Sequence, residues 1–166
     1  SDSIYKFMME RLKAYYKDVN IDSSVYEAVL AVNPDSPFDF HLRVEALNEF
    51  IQSADSKSLI ESNKRIANIL KDSTENHSEL NSEMLVEDSE KNLYKATELL
   101  SKQLLDKQDY KTIMRSLLEL KEAIDAFFDN VMVNTDDLKV REVRLALISR
   151  VRVLFLSVAD ISHLSS

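Results

Sequence analysis

Glycine is absent from this chain, as are cysteine and tryptophan, and proline appears only as Pro34 and Pro37. Glycine is the usual residue where a backbone cradles a phosphate, turns a tight hairpin or takes a left-handed φ. Without it neither a P-loop nor a dinucleotide fingerprint can be written, and corners fall to Asn, Asp and Ser. The lack of cysteine excludes disulfides, thiolate chemistry and zinc–sulfur sites, and suits a reducing, cytoplasmic setting. No apolar run approaches the roughly 20 residues that span a bilayer, and no secretory leader is visible. Cations are in deficit as well: 21 Lys and Arg stand against 29 Asp and Glu, a formal net charge of -8. That balance disfavours indiscriminate binding to polyanions. It leaves room for a local basic patch on an acidic body.

What remains is a chain of 166 residues, 45% of them hydrophobic, able to bury roughly two-thirds of its unfolded surface around one core. It opens on Ser1-Asp2-Ser3 and not on Met, as a piece of a longer chain does. Apolar spacings of three and four predict helices along most of its length. The first, over 3–18, puts Ile4, Phe7, Met8, Leu12, Tyr15 and Tyr16 on one face, and Asn20 is the expected left-handed residue beyond it. Ser24 with Glu27 reads as a capping box for a short helix to Val32. Ser36 and Pro37 are expected to cap and open a helix to about Ser53, with Phe40, Val44, Leu47, Phe50 and Ile51 inside.

A further helix is expected over 56–71, then a polar, acidic loop near 72–88 with one turn around Met84 and Leu85. Two more helices are expected, one over 90–106 opened by Ser89 and one from Asp109 to about Asn130, with Leu93, Ala96, Leu99, Leu100 and Leu104 inward on the former. The last helix starts at Leu138 after the corner Asn134-Thr135-Asp136-Asp137, and its apolar stripe runs through 140, 143, 147, 151, 154, 155 and 158. The expectation is a single all-α domain over 1–166, a bundle of about six to seven helices.

Along this frame few residues are placed for chemistry. His41, His77 and His163 are far apart, and Asp160-x-x-His163 has the spacing of a metal pair but stands alone. The inward positions are leucines and not the carboxylates and Glu-x-x-His elements of a di-metal bundle. Neither a catalytic set nor a metal site is expected. The basic clusters are more informative. Five cations and one anion lie between Lys139 and Arg152, and four cations and one anion between Lys57 and Lys71. Amides and guanidiniums together suit base edges, stacking and phosphates of unpaired RNA. Asn63, Lys64, Arg65, Asn134, Arg141 and Arg144 are the candidate RNA-binding residues, although the Asn63–Arg65 stretch by itself reads as an ordinary solvated helix face, and Arg144→Ala is expected to lower RNA affinity at unchanged helicity. In the competing account, Arg141 and Arg144 pair with Asp129, Asp136 or Asp137 and hold the helix corner together.

Three stretches also carry a family resemblance. FFDNVMVNTDD with VR-x-x-RLALISRVR-x-LFL-x-VADIS resembles the C-terminal end of the beta subunit of bacterial tetrameric glycyl-tRNA synthetase. That region is an all-helical anticodon-binding domain, related to the one named after a D-A-L-R motif in arginyl-tRNA synthetases. Asn63-Lys64-Arg65-Ile66-x-Asn68-Ile69-Leu70 is similar to the family's N-K-R-x-x-N-I-L segment. Residues 7–31 resemble another part of the same subunit, with Asn20 where a glycine usually stands. One departure is Val143, where the family pattern has Asn before the second Arg. The resemblance implies binding of glycine tRNA through its anticodon. It also implies an alpha-subunit partner that carries the amino-acid and ATP sites, no cofactor in this stretch (ATP being used by the whole enzyme) and no catalysis by this stretch alone. A helical protein-interaction scaffold is the alternative that composition permits equally.

Overall fold

The computed structural model describes residues 2–73, 79–104 and 109–165. Among them the chain forms eight α-helices and no strand. These are α1 (Asp2–Asp18), α2 (Ser23–Leu30), α3 (Pro37–Phe50), α4 (Ser56–Lys71), α5 (Asp88–Leu104), α6 (Tyr110–Leu118), α7 (Lys121–Asn130) and α8 (Leu138–Leu156). Single 3₁₀ turns occupy Ser82–Met84 and Ile161–His163. No helix among the described residues is long and apolar enough to cross a membrane.

The all-α expectation holds, and one helix more is present than the spacing predicted. The run from Asp109 to Asn130 divides because Glu119 and Leu120 bond three residues back, to Ser116 and Leu117. Tightening to 3₁₀ geometry turns the chain with Leu120 buried in the bend. α6 then packs on α3 and α7 on α5, contacts that a straight helix could not make together.

Oxygen side chains open several of the helices, though not α4 or α7. Ser36 Oγ accepts from Asp39 N at 3.0 Å ahead of Pro37, as expected. Asp137 Oδ1 accepts from Lys139 N and Val140 N at the head of α8, and Asp109 takes Thr112 N on α6. Two caps differ from expectation. Asp22, not Ser24, opens α2 by accepting from Ser24 N at 2.8 Å. At α5 the buried carboxylate of Glu90 reaches back to Val86 N and Glu87 N in the place expected of Ser89. Asn20 does take the left-handed conformation, φ 63, and Asn33 does so too, φ 49.

The core gathers Tyr16, Phe40, Leu47, Leu59, Ile66, Leu93, Leu117, Phe127 and Phe155. α8 is its centre: Val143, Leu145 to Ile148, Val151, Leu154 and Phe155 are buried, so the helix is covered on most of its circumference. Two amphipathic stripes are rotated from expectation. On α1 the seam is Met9, Leu12 and Tyr16, while Ile4, Phe7, Met8 and Tyr15 face outward, with Ile4 61% exposed. Both rows have helical spacing, and among the described residues the helix packs mainly on α2 and α3, so periodicity could not choose between them. On α5, Leu93 and Leu100 are buried but Leu99 is 60% exposed.

Long-range polar ties fix the ends. Arg43 donates to the carbonyls of Ser157 and Val158 at 3.1 and 2.9 Å, supplying donors that the end of α8 lacks. Arg43 also bonds Asp39 and lies over the Tyr110 ring. The final turn is tied down by Asp160 N to the Ala28 carbonyl and by Ser165 N to Ser24 Oγ. It therefore sits against α2 and α4.

Candidate nucleic-acid interface

The end of α4 meets the start of α8, and a cleft of about 250 Å³ lies between them. Its walls include Asn68, Ile69 and Asp72 from α4 and its end, and Asn134, Arg141 and Leu145 from the corner and α8. Local structure explains why Asn134 is presented there. The chain leaves α7 extended at Val131, and Val131 and Val133 are buried. Alternation along extended backbone then turns Met132 and Asn134 outward, and both are exposed. Arg141 stands in the first turn of α8, its amide bonded to the Asp137 carbonyl at 2.9 Å. The cleft thus combines amide, guanidinium and apolar groups, the set that unpaired bases use for edge hydrogen bonds and stacking.

Not all the candidate residues reach it. Asn63 is 1% exposed and its Nδ2 donates to the Leu59 carbonyl at 2.9 Å. It belongs to the buried face of α4 with Leu59, Ile60 and Ile66, so its amide is spent inside the fold and is not presented to a ligand. Arg144 points inward also. Its Nε lies 3.1 Å from Glu90 Oε2 and its Nη1 donates to the Met132 carbonyl at 2.6 Å. With the two side chains 13% and 2% exposed, this is a buried ion pair joining α8, α5 and the corner. Arg144 is thus ion-paired within the fold, and its partner is Glu90 and none of the aspartates proposed from sequence.

Arg65 lies on the outside of α4, its guanidinium 4.3 Å above the Phe128 ring. Arg65, Ile69 and Asp72 are spaced i, i+4 and i+7, so Arg65 stands one turn from the cleft on the same face. Lys64 is half-buried on the adjoining face, in line with Asn68 and Lys71. Asn134 and Arg141 are therefore brought together with Asn68 of α4, Arg65 stands one turn from them, Lys64 does not line the cleft, and Asn63 and Arg144 are turned into the interior. Asn68, outside the set of candidates, also lines the cleft and stands exposed in the same N-K-R-x-x-N-I-L segment.

Further along α8, Arg150 and Arg152 are paired inside the fold. Arg150 pairs with Glu98 and lies over Tyr94. Arg152 binds the Asp160 carboxylate through two N–H groups at 3.0 and 3.2 Å. Burial pushes the Asp160 carboxyl up, but hydrogen bonds from Arg152 and Ser162 and the guanidinium charge outweigh it and hold it below the usual carboxylate value. Of the five cations between Lys139 and Arg152, Arg144, Arg150 and Arg152 are thus ion-paired within the fold.

These elements define an all-helical domain that presents amides and a cation in a cleft beside its central helix. Residues 59–161 match the family described as the DALR anticodon binding domain, and the chain belongs to that family. It is 39% identical over 168 residues to the glycine–tRNA ligase beta subunit of Pseudomonas aeruginosa (strain LESB58), covering 99% of this chain and 25% of that protein. The beta subunits of Haemophilus influenzae (strain PittGG) and Coxiella burnetii (strain RSA 331 / Henzerling II) are 40% and 42% identical. Each of those matches covers 97% of this chain and 24% of the relative. The chain thus spans about a quarter of the length of these curated relatives.

Proposed function

We propose that this chain is the tRNA-recognition module of a glycine–tRNA ligase beta subunit, admitting unpaired anticodon nucleotides to the cleft between α4 and α8. The observation that carries this reading is the meeting of Asn134 and Arg141 with Asn68 in one accessible cleft. Arg65 on Phe128 adds a guanidinium plane one turn away, a surface on which a splayed base stacks. In this reading ATP-dependent glycylation belongs to the whole cytoplasmic enzyme, with its amino-acid and ATP sites on the alpha subunit. The module binds tRNA and catalyses nothing itself.

The test is binding of glycine tRNA against an unrelated tRNA at two salt concentrations. Anticodon-dependent binding that weakens with salt supports the reading. Anticodon-blind behaviour, or none, refutes it. One observation favours a second role as a protein-docking scaffold: the outward row Ile4, Phe7, Met8 and Tyr15 on α1, an apolar strip of the kind that marks interaction surfaces. Alpha-subunit contact through that strip predicts that Phe7→Ser weakens subunit association without touching tRNA affinity.

A further inference from the structure

The far side of Asn68 opens on a second depression, of about 630 Å³, between the end of α4 and the final turn. Asn68, Lys71, Arg152, Asp160, Ser162 and His163 line it. We propose that this depression holds a backbone phosphate of the bound RNA, belonging to a nucleotide next to the one received in the cleft between α4 and α8. The proposal rests on the tRNA-binding reading above and extends it to the path of the strand.

Three features point this way. First, the two hollows share Asn68, so a strand leaving one crosses directly into the other. Second, Asn68 and Lys71 of α4 both line the depression, and Lys64 continues their row one turn earlier on the helix. Third, its charges are ordered by depth. Asp160 is 8% exposed. One of its oxygens accepts from Ser162 N and Oγ as well as Arg152, and the other lies 3.0 Å from Arg152 and 3.6 Å from His163 Nε2. The carboxylate thus holds the guanidinium in one orientation while two of its N–H groups are used, leaving the others for an acceptor. Lys71 is exposed at the mouth and the His163 side chain is 49% exposed. An anion arriving from solvent meets lysine and imidazole before it meets Asp160. Two permanent cations outweigh one carboxylate there, and a fixed guanidinium suits phosphate oxygens.

Lys71 also stands in the last turn of α4, where any cation offsets the helix dipole. The test must separate that local role from RNA contact. The full chain is titrated with a fluorescent anticodon stem-loop of glycine tRNA over a series of salt concentrations, as wild type, Lys71→Gln and Lys71→Gln/His163→Gln. Lys91→Gln on the exposed side of α5 is the control. For Lys71→Gln the slope of log affinity against log salt is expected to become shallower by about 0.7, the value for one single-strand phosphate, with the control unchanged. Methylphosphonate placed at successive linkages of the loop is expected to reveal one linkage whose neutralisation weakens wild type but not Lys71→Gln.

An unchanged slope with no such linkage overturns the proposal. If Asn134→Ala then still abolishes binding, the first cleft stands without the second. A wild-type chain that fails to bind the stem-loop refutes the tRNA reading and this inference together. Circular dichroism confirms that each variant is folded, and should the double variant unfold, Lys71→Gln alone decides.

Discussion

Replacing Arg144 by alanine separates two accounts of the most conspicuous arginine in the chain. The guanidinium is nearly enclosed, and its partner Glu90 more so, at 13% and 2% side-chain exposure. Glu90 Oε1 is committed to the amides of Val86 and Glu87 at the head of α5. The carboxylate therefore cannot swing to solvent when its counter-ion is removed. Breaking a buried pair from one side costs about 3–5 kcal/mol, because a charge is stranded. The Met132 carbonyl loses its donor in the same step.

In a domain of this size each kcal/mol moves the melting temperature by about 2–4 °C. Arg144→Ala is thus expected to melt roughly 6–20 °C below wild type, a large part of a total stability of about 5–15 kcal/mol. Glu90→Gln keeps an oxygen for the two amides and removes the stranded charge. The double variant Glu90→Gln/Arg144→Ala is therefore expected to recover part of the loss, a non-additivity that marks direct coupling. The assay is thermal and urea unfolding of the four proteins, with stem-loop affinity measured well below each transition. Arg144→Ala that melts within about 2 °C of wild type, less than one kcal/mol on the same scale, yet no longer binds RNA would refute the reasoning and make Arg144 a contact.

The same geometry sets other expectations. Asn63→Ala should destabilise by about 1–3 kcal/mol, the cost of disturbing a buried hydrogen-bonded amide, and leave stem-loop affinity at the wild-type value while folded. Asp160 has a folded-state pKa below its ordinary 3.8, so its contribution is fully present above that pH and is lost as pH falls through the lowered value. Asp160→Asn should accordingly flatten the acid limb of melting temperature against pH while costing stability at neutral pH. Phe127→Ala empties a fully buried site and should cost about 3–5 kcal/mol in urea unfolding. Asn20→Gly should be neutral or stabilising in thermal unfolding, because φ 63 carries no Cβ penalty in glycine, whereas Asn20→Val should destabilise by about 1–2 kcal/mol.

Helix identity was legible in the sequence because it depends on near neighbours. Ser36-Pro37, Asp109 and Asp137 cap their helices through atoms two or three residues away. The left-handed turn at Asn20 answers to the same local rules. The stripe of α8 was readable for another reason: a helix covered on most sides leaves few apolar positions to misassign. Where a helix is covered on one side only, as α1 is, two rows of equal periodicity compete and the neighbours choose. The break at Glu119 and Leu120 was hidden because no glycine or proline marks it. It is the demand that α6 and α7 pack on different partners that bends the chain.

The candidate site divides along the same line. Asparagine, lysine and arginine announce what chemistry a surface can offer, and the sequence alone determined that these residues cluster on α4 and α8 within a glycine-free helical chain. Which of them face outward was decided by the tertiary structure. Asn63 falls on the side of α4 that meets the core, and Arg144 meets a glutamate 54 positions away. Asn68 falls on the ridge shared by two hollows. Burial and ion pairing of this kind depend on groups remote in the chain, and local spacing carries no information about where those groups arrive.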